Sequence, residues 1–185
     1  MSRLASPGAA GLHLARHGQT AFNAEGRFQG HLPVPLDAVG REQAAALAEA
    51  VERLAPTVLV TSQIERARET AEIVAARIGL DPVVDERFAE TETGAWTGRT
   101  FEEIRAEDPD GFERFLALDL DWGFPSGERF ADQRERVRAA IADWRTREGP
   151  GPVVVVCHGN TIRLALGGRA GQTPGRPANG SLVAL

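Results

Sequence analysis

Residues 12–18, LHLARHG, are a short apolar run that ends in an arginine, a histidine (His17) and a glycine. Two β-branched runs without polar alternation follow later, at 57–61 (TVLVT) and 153–157 (VVVVC), and His158 comes directly after the second. Such runs are typical of strands that helices cover on both faces of a parallel sheet. Because ligands of open α/β sheets bind beyond the carboxyl ends of the strands, both histidines are expected to project into one crevice.

Helical periodicity occupies the segments between these runs. The first helical segment opens near Asp37, a suitable N-cap residue, and the second ends before Gly79, a typical stop signal. A third runs from Phe130 to Trp144, and a fourth opens at Gly159. Alternating strands and helices predict right-handed crossovers and a three-layer α/β/α sandwich with a mostly parallel central sheet.

One domain is expected over residues 12–185, preceded by a disordered N-terminal segment at 1–11. Residues 88–130 differ from their surroundings in their aromatic residues, glycines and mixed charge. We interpret them as an insertion that forms a helical lid over the crevice. A glycine- and proline-rich loop at 167–180 leads to a last short strand at 181–185.

The composition excludes several classes of protein. Apolar residues make up 42% and charged residues 25%, which is ordinary for a soluble globular protein, and the net charge of -5 argues against nucleic-acid binding. All 21 basic residues are arginine, so lysine-based chemistry is excluded. Cys157 has no second cysteine to pair with, and no apolar run suits a signal peptide or a membrane span. A cytoplasmic protein without a membrane partner is expected, and a homodimer is compatible with the sequence.

Arg16 and His17 are the first candidate catalytic pair. A histidine at a strand end can attack phosphorus while a neighbouring guanidinium, whose planar fork matches phosphate oxygens, neutralises charge. For such a pair in isolation, a buried histidine beside a surface ion pair is the commoner outcome. Arg66, Glu90 and His158 add further candidates. Arg66 lies off the apolar stripe of its helix, so it can point into the crevice or be solvated.

Five motifs, in order along the chain, resemble those of the histidine phosphatase superfamily, which has the phosphoglycerate mutase-like fold. The resemblance covers residues 12 to about 166, and several motifs at compatible spacing make it specific. The motifs are Arg-His-Gly at 16–18 with Asn23 downstream, the segment 62–67, a glutamate four residues before Gly-x-Trp-x-Gly at 90–98, Pro-Ser-Gly-Glu at 125–128 and His-Gly at 158–159.

The resemblance implies a phosphatase that hydrolyses a small-molecule phosphate monoester through a phosphohistidine on His17, with Glu90 as general acid and base. It implies neither a metal ion nor a cofactor. Arg16, Arg66 and His158 are implied as the other catalytic residues, forming a positive cradle. The implied phosphate-binding residues are Arg16, Asn23, Gln29, Gly30, Arg66, His158 and Gly159.

Two alternative functions accompany this reading. The first is a cofactor-dependent phosphoglycerate mutase. Mutases of the family are longer and have a tail that shields the phosphohistidine. Because this chain is shorter, water is expected to reach the phosphohistidine, which favours a phosphatase. A non-catalytic phosphate-binding module is disfavoured because it does not need Glu90. The sequence also departs from the family pattern at Asn160, where a second glycine is common. The substrate stays open among sugar phosphates, phosphoglycerate derivatives and nucleoside or cofactor-precursor phosphates.

Overall fold

The computed structural model of the protein describes residues 11–147, 151–167 and 175–185. A five-stranded sheet lies at its centre, in the order β3-β2-β4-β1-β5. The pairs β2–β3, β2–β4 and β1–β4 are parallel, whereas β5 is antiparallel to β1. The three apolar runs therefore form adjacent strands, and the mostly parallel sheet is confirmed. The strands are β1 (Leu12–Arg16), β2 (Val58–Thr61), β3 (Val83–Val84), β4 (Val153–Cys157) and β5 (Leu182–Ala184).

The helices agree with the predicted periodic segments. The Asp37 side chain accepts a hydrogen bond from the Gly40 N–H at 2.7 Å and so caps α2, and Gly79 ends α3 in the left-handed region at φ 70°. Two short 3₁₀ helices lie at Glu86–Phe88 and Gly94–Trp96. The α-helices are α1 (Ala21–Ala24), α2 (Ala38–Leu54), α3 (Glu65–Ile78), α4 (Phe101–Glu107), α5 (Pro109–Ala117), α6 (Phe130–Thr146) and α7 (Gly159–Leu166).

Helices cover both faces of the sheet, which explains why β4 lacks polar alternation. All five residues of β4 are buried. Val154 and Val156 pack in one apolar cluster with α2 and α3, while Val153 and Val155 pack in another with α6 and α7. Successive side chains of a strand point to opposite faces, so these clusters are the two interfaces of a three-layer sandwich. The predicted architecture is confirmed.

The segment 88–130 carries α4, α5 and a third apolar cluster of its own. Its helical content agrees with the prediction, and its role as a lid stays a prediction. The cluster also takes in Phe28 and Leu164 from neighbouring parts of the chain. The buried residues that the segment contributes are Trp96, Ile104, Phe112, Phe115, Leu118, Trp122, Phe124 and Phe130.

Two parts of the predicted organisation lie largely outside the described residues. These are the segment 1–11, of which Gly11 alone is described, and residues 168–174 of the predicted loop. The sequence does not predict the strand β3. Its two residues, Val83 and Val84, are exposed at the sheet edge and are too few to show the periodicity of a strand. Of the helices described here, none combines the length and apolar character needed to cross a bilayer.

Candidate active site

The ends of β1 and β4 bring the two predicted histidines together. These strands pair in parallel with Arg16 opposite Cys157, and His17 and His158 follow directly. Their ring centroids lie 5.2 Å apart, and the residues keep only 2% and 0% of their surface exposed. The expectation that both imidazoles meet beyond the carboxyl edge of the sheet is confirmed.

The hydrogen bonds of His17 fix its tautomer. Nδ1 lies 2.7 Å from the Gly18 carbonyl oxygen, which can only accept a hydrogen bond. Nε2 lies 3.3 Å from Nε of Arg66, which can only donate one. The proton therefore sits on Nδ1 and the lone pair on Nε2. Burial, and next the charges of Arg66 and Arg16, hold the pKa of His17 well below its ordinary value, so the ring is neutral.

Arg66 is buried at the start of α3 and points into the site rather than into solvent. Its surface is 1% exposed, whereas Arg68, two residues further on, is exposed. The guanidinium also donates to the carbonyl oxygens of Gly30 at 2.9 Å and Leu32 at 3.3 Å. Burial lowers its pKa to about 10, so the group stays charged at neutral pH. The alternative of a solvated helix arginine is excluded.

Arg16 and His158 each carry a buried nitrogen atom without a partner among the described residues. For Arg16 it is Nε, while Nη1 donates to the Pro177 carbonyl oxygen at 2.6 Å. For His158 it is Nδ1, while Nε2 lies 2.8 Å from Oγ of Ser62. Burial, and next the charge of Arg176, lowers the pKa of Arg16 to about 10. Buried polar nitrogens of this kind are free to bind a ligand or water.

Glu90 is held at the rim of the same pocket by two backbone amides. Its Oε1 accepts from the Thr91 N–H at 2.9 Å and its Oε2 from the Asn160 N–H at 3.3 Å. The buried Gln133 lies behind it, with Nε2 3.5 Å from Oε1 of Glu90 and 3.3 Å from the Ala89 carbonyl oxygen. Gln133 in α6 and Asn160 in α7 thus fix the orientation of the Glu90 carboxyl group.

Most of the predicted site residues line one pocket. Its cavity volume is about 30 Å³, room for one or two water molecules. His158 is absent from this lining and packs against His17 instead. Gly159 is also absent, although a Cβ added there would lie 3.6 Å from Nε of Arg16 and 3.8 Å from Oε2 of Glu90. The predicted residues that line the pocket are Arg16, His17, Asn23, Gln29, Gly30, Arg66 and Glu90.

The side-chain oxygens of Asn23 and Gln29 are already used within the protein. Oδ1 of Asn23 accepts from the Thr20 N–H at 3.2 Å and from Nδ2 of Asn179 at 3.1 Å. Oε1 of Gln29 accepts from the Thr20 hydroxyl at 2.9 Å. Both residues therefore offer their amide N–H groups to a ligand. The carbonyl oxygen of Gly30 accepts from Arg66, so this residue positions the arginine.

Gly18 is required for packing, which differs from the reason expected from the motif. Next to a catalytic histidine, a glycine suggests close approach of a ligand to the backbone. In the structure a Cβ at Gly18 would lie 2.2 Å from the carbonyl oxygen of Gly40, in the first turn of α2. The Gly18 N–H donates to Oγ1 of Thr70 at 3.1 Å and is therefore not directed at a ligand.

A wider groove on the protein surface does not suit a phosphate ester. It has a volume of about 620 Å³ and is lined by three carboxylates, Glu65, Glu69 and Glu72. Arg68 also lines this groove, and its charge is paired with that of Glu72, with Nη2 of Arg68 3.8 Å from Oε1 of Glu72. A groove with this charge repels an anion, so we place the site in the pocket between the strand ends. Within the described ranges, no group of three or more His, Cys, Asp or Glu side chains could hold a metal ion. A metal-independent reaction stays a prediction.

The comparison with protein families decides the identity of the chain. The family described as the histidine phosphatase superfamily (branch 1) matches residues 12–183. The chain belongs to this superfamily. The match contains β1 to β4 completely, most of β5, and both His17 and His158, so the family predicted from the motifs is confirmed.

Named relatives of this histidine phosphatase include phosphatases and mutases. A glucosyl-3-phosphoglycerate phosphatase of Mycolicibacterium vanbaalenii is 36% identical over 158 residues, which are 82% of this chain and 70% of the relative. A probable phosphoglycerate mutase of Escherichia coli is 32% identical over 167 residues, 90% of this chain and 76% of the relative.

Solved structures of relatives share the fold. A mycobacterial glucosyl-3-phosphoglycerate phosphatase in complex with VO3 has a TM-score of 0.86 and 34% identity, covering 95% of this chain and 92% of that one. A phosphoglycerate mutase from Thermus thermophilus has a TM-score of 0.77 and 32% identity, with the same coverage of both chains.

The site of this histidine phosphatase contains residues that the sequence did not single out for it. Arg176 lines the pocket from the glycine- and proline-rich loop, and Gln133 supports Glu90 from α6. Neither lies in a motif, and both a loop arginine and a polar residue in a helix are ordinarily solvated, so no local signal marks them. Asn160, where the family pattern commonly has glycine, donates from its N–H to Oε2 of Glu90 and from its Nδ2 to Oγ1 of Thr91.

Proposed function

We propose that this histidine phosphatase hydrolyses a small-molecule phosphate monoester through a phosphohistidine on His17. The observation that carries the proposal is the fixed tautomer of His17. The Gly18 carbonyl holds the Nδ1 proton, so Nε2 keeps the lone pair that a nucleophile needs. Because burial holds the pKa of the ring well below its ordinary value, the neutral, nucleophilic form is the resident form at neutral pH.

The cradle neutralises the charge of the phosphoryl group. Arg16 and Arg66 both line the pocket, and Arg16 keeps a buried Nε without a partner among the described residues. A phosphate oxygen is a stronger acceptor for a guanidinium than a neutral imidazole nitrogen is. As the substrate binds, the Nε–H of Arg66 therefore exchanges its hydrogen-bond acceptor, from Nε2 of His17 to a phosphate oxygen, which frees Nε2 for attack.

Glu90 acts in both halves of the reaction. In the first, Nε2 of His17 bonds to phosphorus while the ester P–O bond breaks and the protonated Glu90 gives its proton to the leaving oxygen. In the second, water attacks phosphorus and gives a proton to the Glu90 carboxylate while the N–P bond breaks and phosphate leaves. The amides of Thr91 and Asn160 donate to the two carboxyl oxygens, which orients the group and suits the carboxylate that accepts a proton in the second half.

The names of the relatives suggest the first substrate to test. Several are glucosyl-3-phosphoglycerate phosphatases, so we propose a phosphorylated small molecule of this kind. Relatives named as phosphoglycerate mutases support a second candidate function, transfer of the phosphate back to the substrate. Incubation with 3-phosphoglycerate distinguishes the two, because a phosphatase releases free phosphate whereas a mutase forms 2-phosphoglycerate.

The nucleophile is tested by trapping the intermediate. The protein is mixed with p-nitrophenyl phosphate, quenched rapidly and measured by intact-mass spectrometry, with turnover followed in parallel. We expect one phosphoryl adduct, which His17→Asn abolishes together with turnover. His13→Gln, a histidine on the same strand but outside the pocket, is the matched control and should keep both. Appreciable turnover by His17→Asn contradicts the proposal.

A further inference from the structure

The motif at 125–128 has no part in the proposed reaction, yet its last residue anchors the segment that carries Glu90. Oε1 and Oε2 of Glu128 accept hydrogen bonds from Nε and Nη2 of Arg136 at 2.7 Å and 2.8 Å. Oε2 also accepts from the Glu92 N–H at 3.3 Å, and the Glu128 N–H donates to the Glu92 carbonyl oxygen at 2.8 Å. The Glu128 carboxyl group therefore joins α6 to the backbone just after Glu90.

Arg136 uses all five of its N–H groups within the protein. Nε and one N–H of Nη2 bind Glu128. Nη1 donates to the carbonyl oxygens of Arg87 at 2.8 Å and Ala89 at 2.9 Å. The second N–H of Nη2 donates to the Glu90 carbonyl oxygen at 3.2 Å. A guanidinium has no further donor, and Arg136 does not line the pocket of the cradle, so its contacts hold the backbone at Glu90.

One peptide group connects Arg136 with the carboxyl group of Glu90. The carbonyl oxygen of Glu90 and the N–H of Thr91 belong to the same planar unit, so the direction of one fixes the direction of the other. The carbonyl oxygen accepts from Arg136, and the N–H donates to Oε1 of Glu90 at 2.9 Å. Contact with a charged donor also polarises the peptide group and strengthens the hydrogen bond that its N–H makes. Arg136 therefore acts on the carboxyl group without touching it.

A second side chain contacts the same carbonyl oxygen but is held less firmly. Nε2 of His31 lies 2.8 Å from the Glu90 carbonyl oxygen, and Nδ1 of His31 lies 3.2 Å from Oε2 of Glu92. The His31 side chain is 39% exposed, compared with 23% for that of Arg136. His31 contacts one carbonyl oxygen whereas Arg136 contacts three, so the orientation of the peptide group depends mainly on Arg136.

We propose that Arg136 and Glu128 are positioning residues that orient the Glu90 carboxyl group toward the phosphoryl group. This inference rests on the proposed function, because it assigns the residues that act through the general acid and base of that reaction. In the second half, the Glu90 carboxylate takes a proton from the attacking water while the N–P bond to His17 breaks. In the first half, p-nitrophenyl phosphate needs no proton on its leaving group. With this substrate, a displaced carboxylate therefore slows the loss of the phosphoryl group from His17 and not its transfer to His17.

Rapid-quench intact-mass spectrometry with p-nitrophenyl phosphate separates these two steps. Arg136→Gln is expected to slow loss of the phosphoryl adduct about 10- to 100-fold and to leave its formation within about 3-fold, because misplacement of a reacting group by about 1 Å has an effect of this order. The adduct should therefore accumulate in the steady state. Arg138→Gln is the matched control, because Arg138 is an exposed arginine on the same helix outside the pocket.

Further variants make the test independent of how well Arg136→Gln folds. Arg136→Lys keeps the charge but has three donors and no planar fork, and Glu128→Gln keeps the shape but loses the charge. Each should slow loss of the adduct, but less than Arg136→Gln does. Arg136→Gln combined with Glu128→Gln should slow it no more than Arg136→Gln alone, because the two side chains act as one unit.

Equal slowing of both steps would overturn the inference, since it indicates general damage to the fold, and so would unchanged loss of the adduct in all of these variants. Absence of an adduct in the wild-type protein would instead reject the proposed function. Hydrogen exchange of the Thr91 amide, followed by NMR, tests the positioning contact without turnover. Arg136→Gln should accelerate this exchange and Arg138→Gln should not, and equal rates in the two variants would also overturn the inference.

Discussion

The Nε–H of Arg66 donates a hydrogen bond to Nε2 of His17 over 3.3 Å. A guanidinium cannot accept a hydrogen bond, so this contact marks Nε2 as the unprotonated nitrogen of the ring. The charge of Arg66 also helps to lower the pKa of His17, after burial. One arginine thus orients the nucleophile, opposes its protonation and supplies charge for the phosphate.

Substitution of Arg66 should impair catalysis far more than substitution of its neighbour Arg68. Arg66→Gln removes a buried charge from the cradle, and loss of one preorganised donor to a transition state costs about 10²- to 10³-fold in kcat. Arg68→Gln is the control, because this exposed side chain lies 3.8 Å from Glu72 outside the pocket. Steady-state kinetics with p-nitrophenyl phosphate measure both. Equal effects of the two changes would show that Arg66 has no special role.

The stability of the protein should fall as the pH drops below about 6.5. Burial, followed by the charge of Arg66, holds the pKa values of His17 and His158 well below 6.5 in the folded state. The unfolded chain takes up protons on both rings below that pH and the folded chain does not. Each histidine then reduces the free energy of unfolding by up to about 1.4 kcal/mol per pH unit.

Urea unfolding at pH 7.5 and pH 5.5 measures this dependence. His158→Gln removes one of the two titrating groups, so its free energy of unfolding should change less between the two pH values than that of the wild type. An unchanged difference in the variant would mean that His158 is protonated in the folded state.

Gly18→Ala should destabilise the protein strongly. The new methyl group would meet the Gly40 carbonyl oxygen at 2.2 Å, and neither backbone segment can move without displacing β1 or α2. Overpacking of this kind costs about 3 kcal/mol. Gly175→Ala is the control, since nothing lies within 4 Å of its added Cβ. Chemical denaturation gives both values, and a change below about 1 kcal/mol for Gly18→Ala would contradict the packing role.

Substitutions of Glu90 and Gln133 should lower the rate of hydrolysis by an amount that depends on the leaving group of the substrate. Glu90→Gln removes the proposed acid, so hydrolysis of an alkyl phosphate should fall much more than that of p-nitrophenyl phosphate, whose leaving group needs no proton. Gln133→Leu leaves the carboxyl group in place but removes the support at 3.5 Å, so it should shift the same ratio in the same direction and less far. A loss equal on both substrates would remove the acid role, and a Gln133 variant with an unchanged ratio would limit that residue to stability.

Local patterns sufficed for the layers of the fold. Helices pack on both faces of β4, so this strand is an apolar, mostly β-branched run without polar alternation, and its five residues alone show that pattern. The same reasoning failed for β3, whose two residues pair only at an exposed edge. His17 and His158 could be paired in advance because parallel strands end at the same edge of the sheet.

By itself, the sequence determined the sandwich, the family and the strand-end origin of His17, since each depends on local periodicity or on motifs read in order. Tertiary structure alone decided that Arg66 turns inward, that Gly18 makes room for α2, and that Arg176 reaches the pocket from 159 residues beyond the nucleophile. The physical reason is that burial and charge at this site arise from segments that meet only after the sheet has formed. No local run of residues encodes the contacts between them.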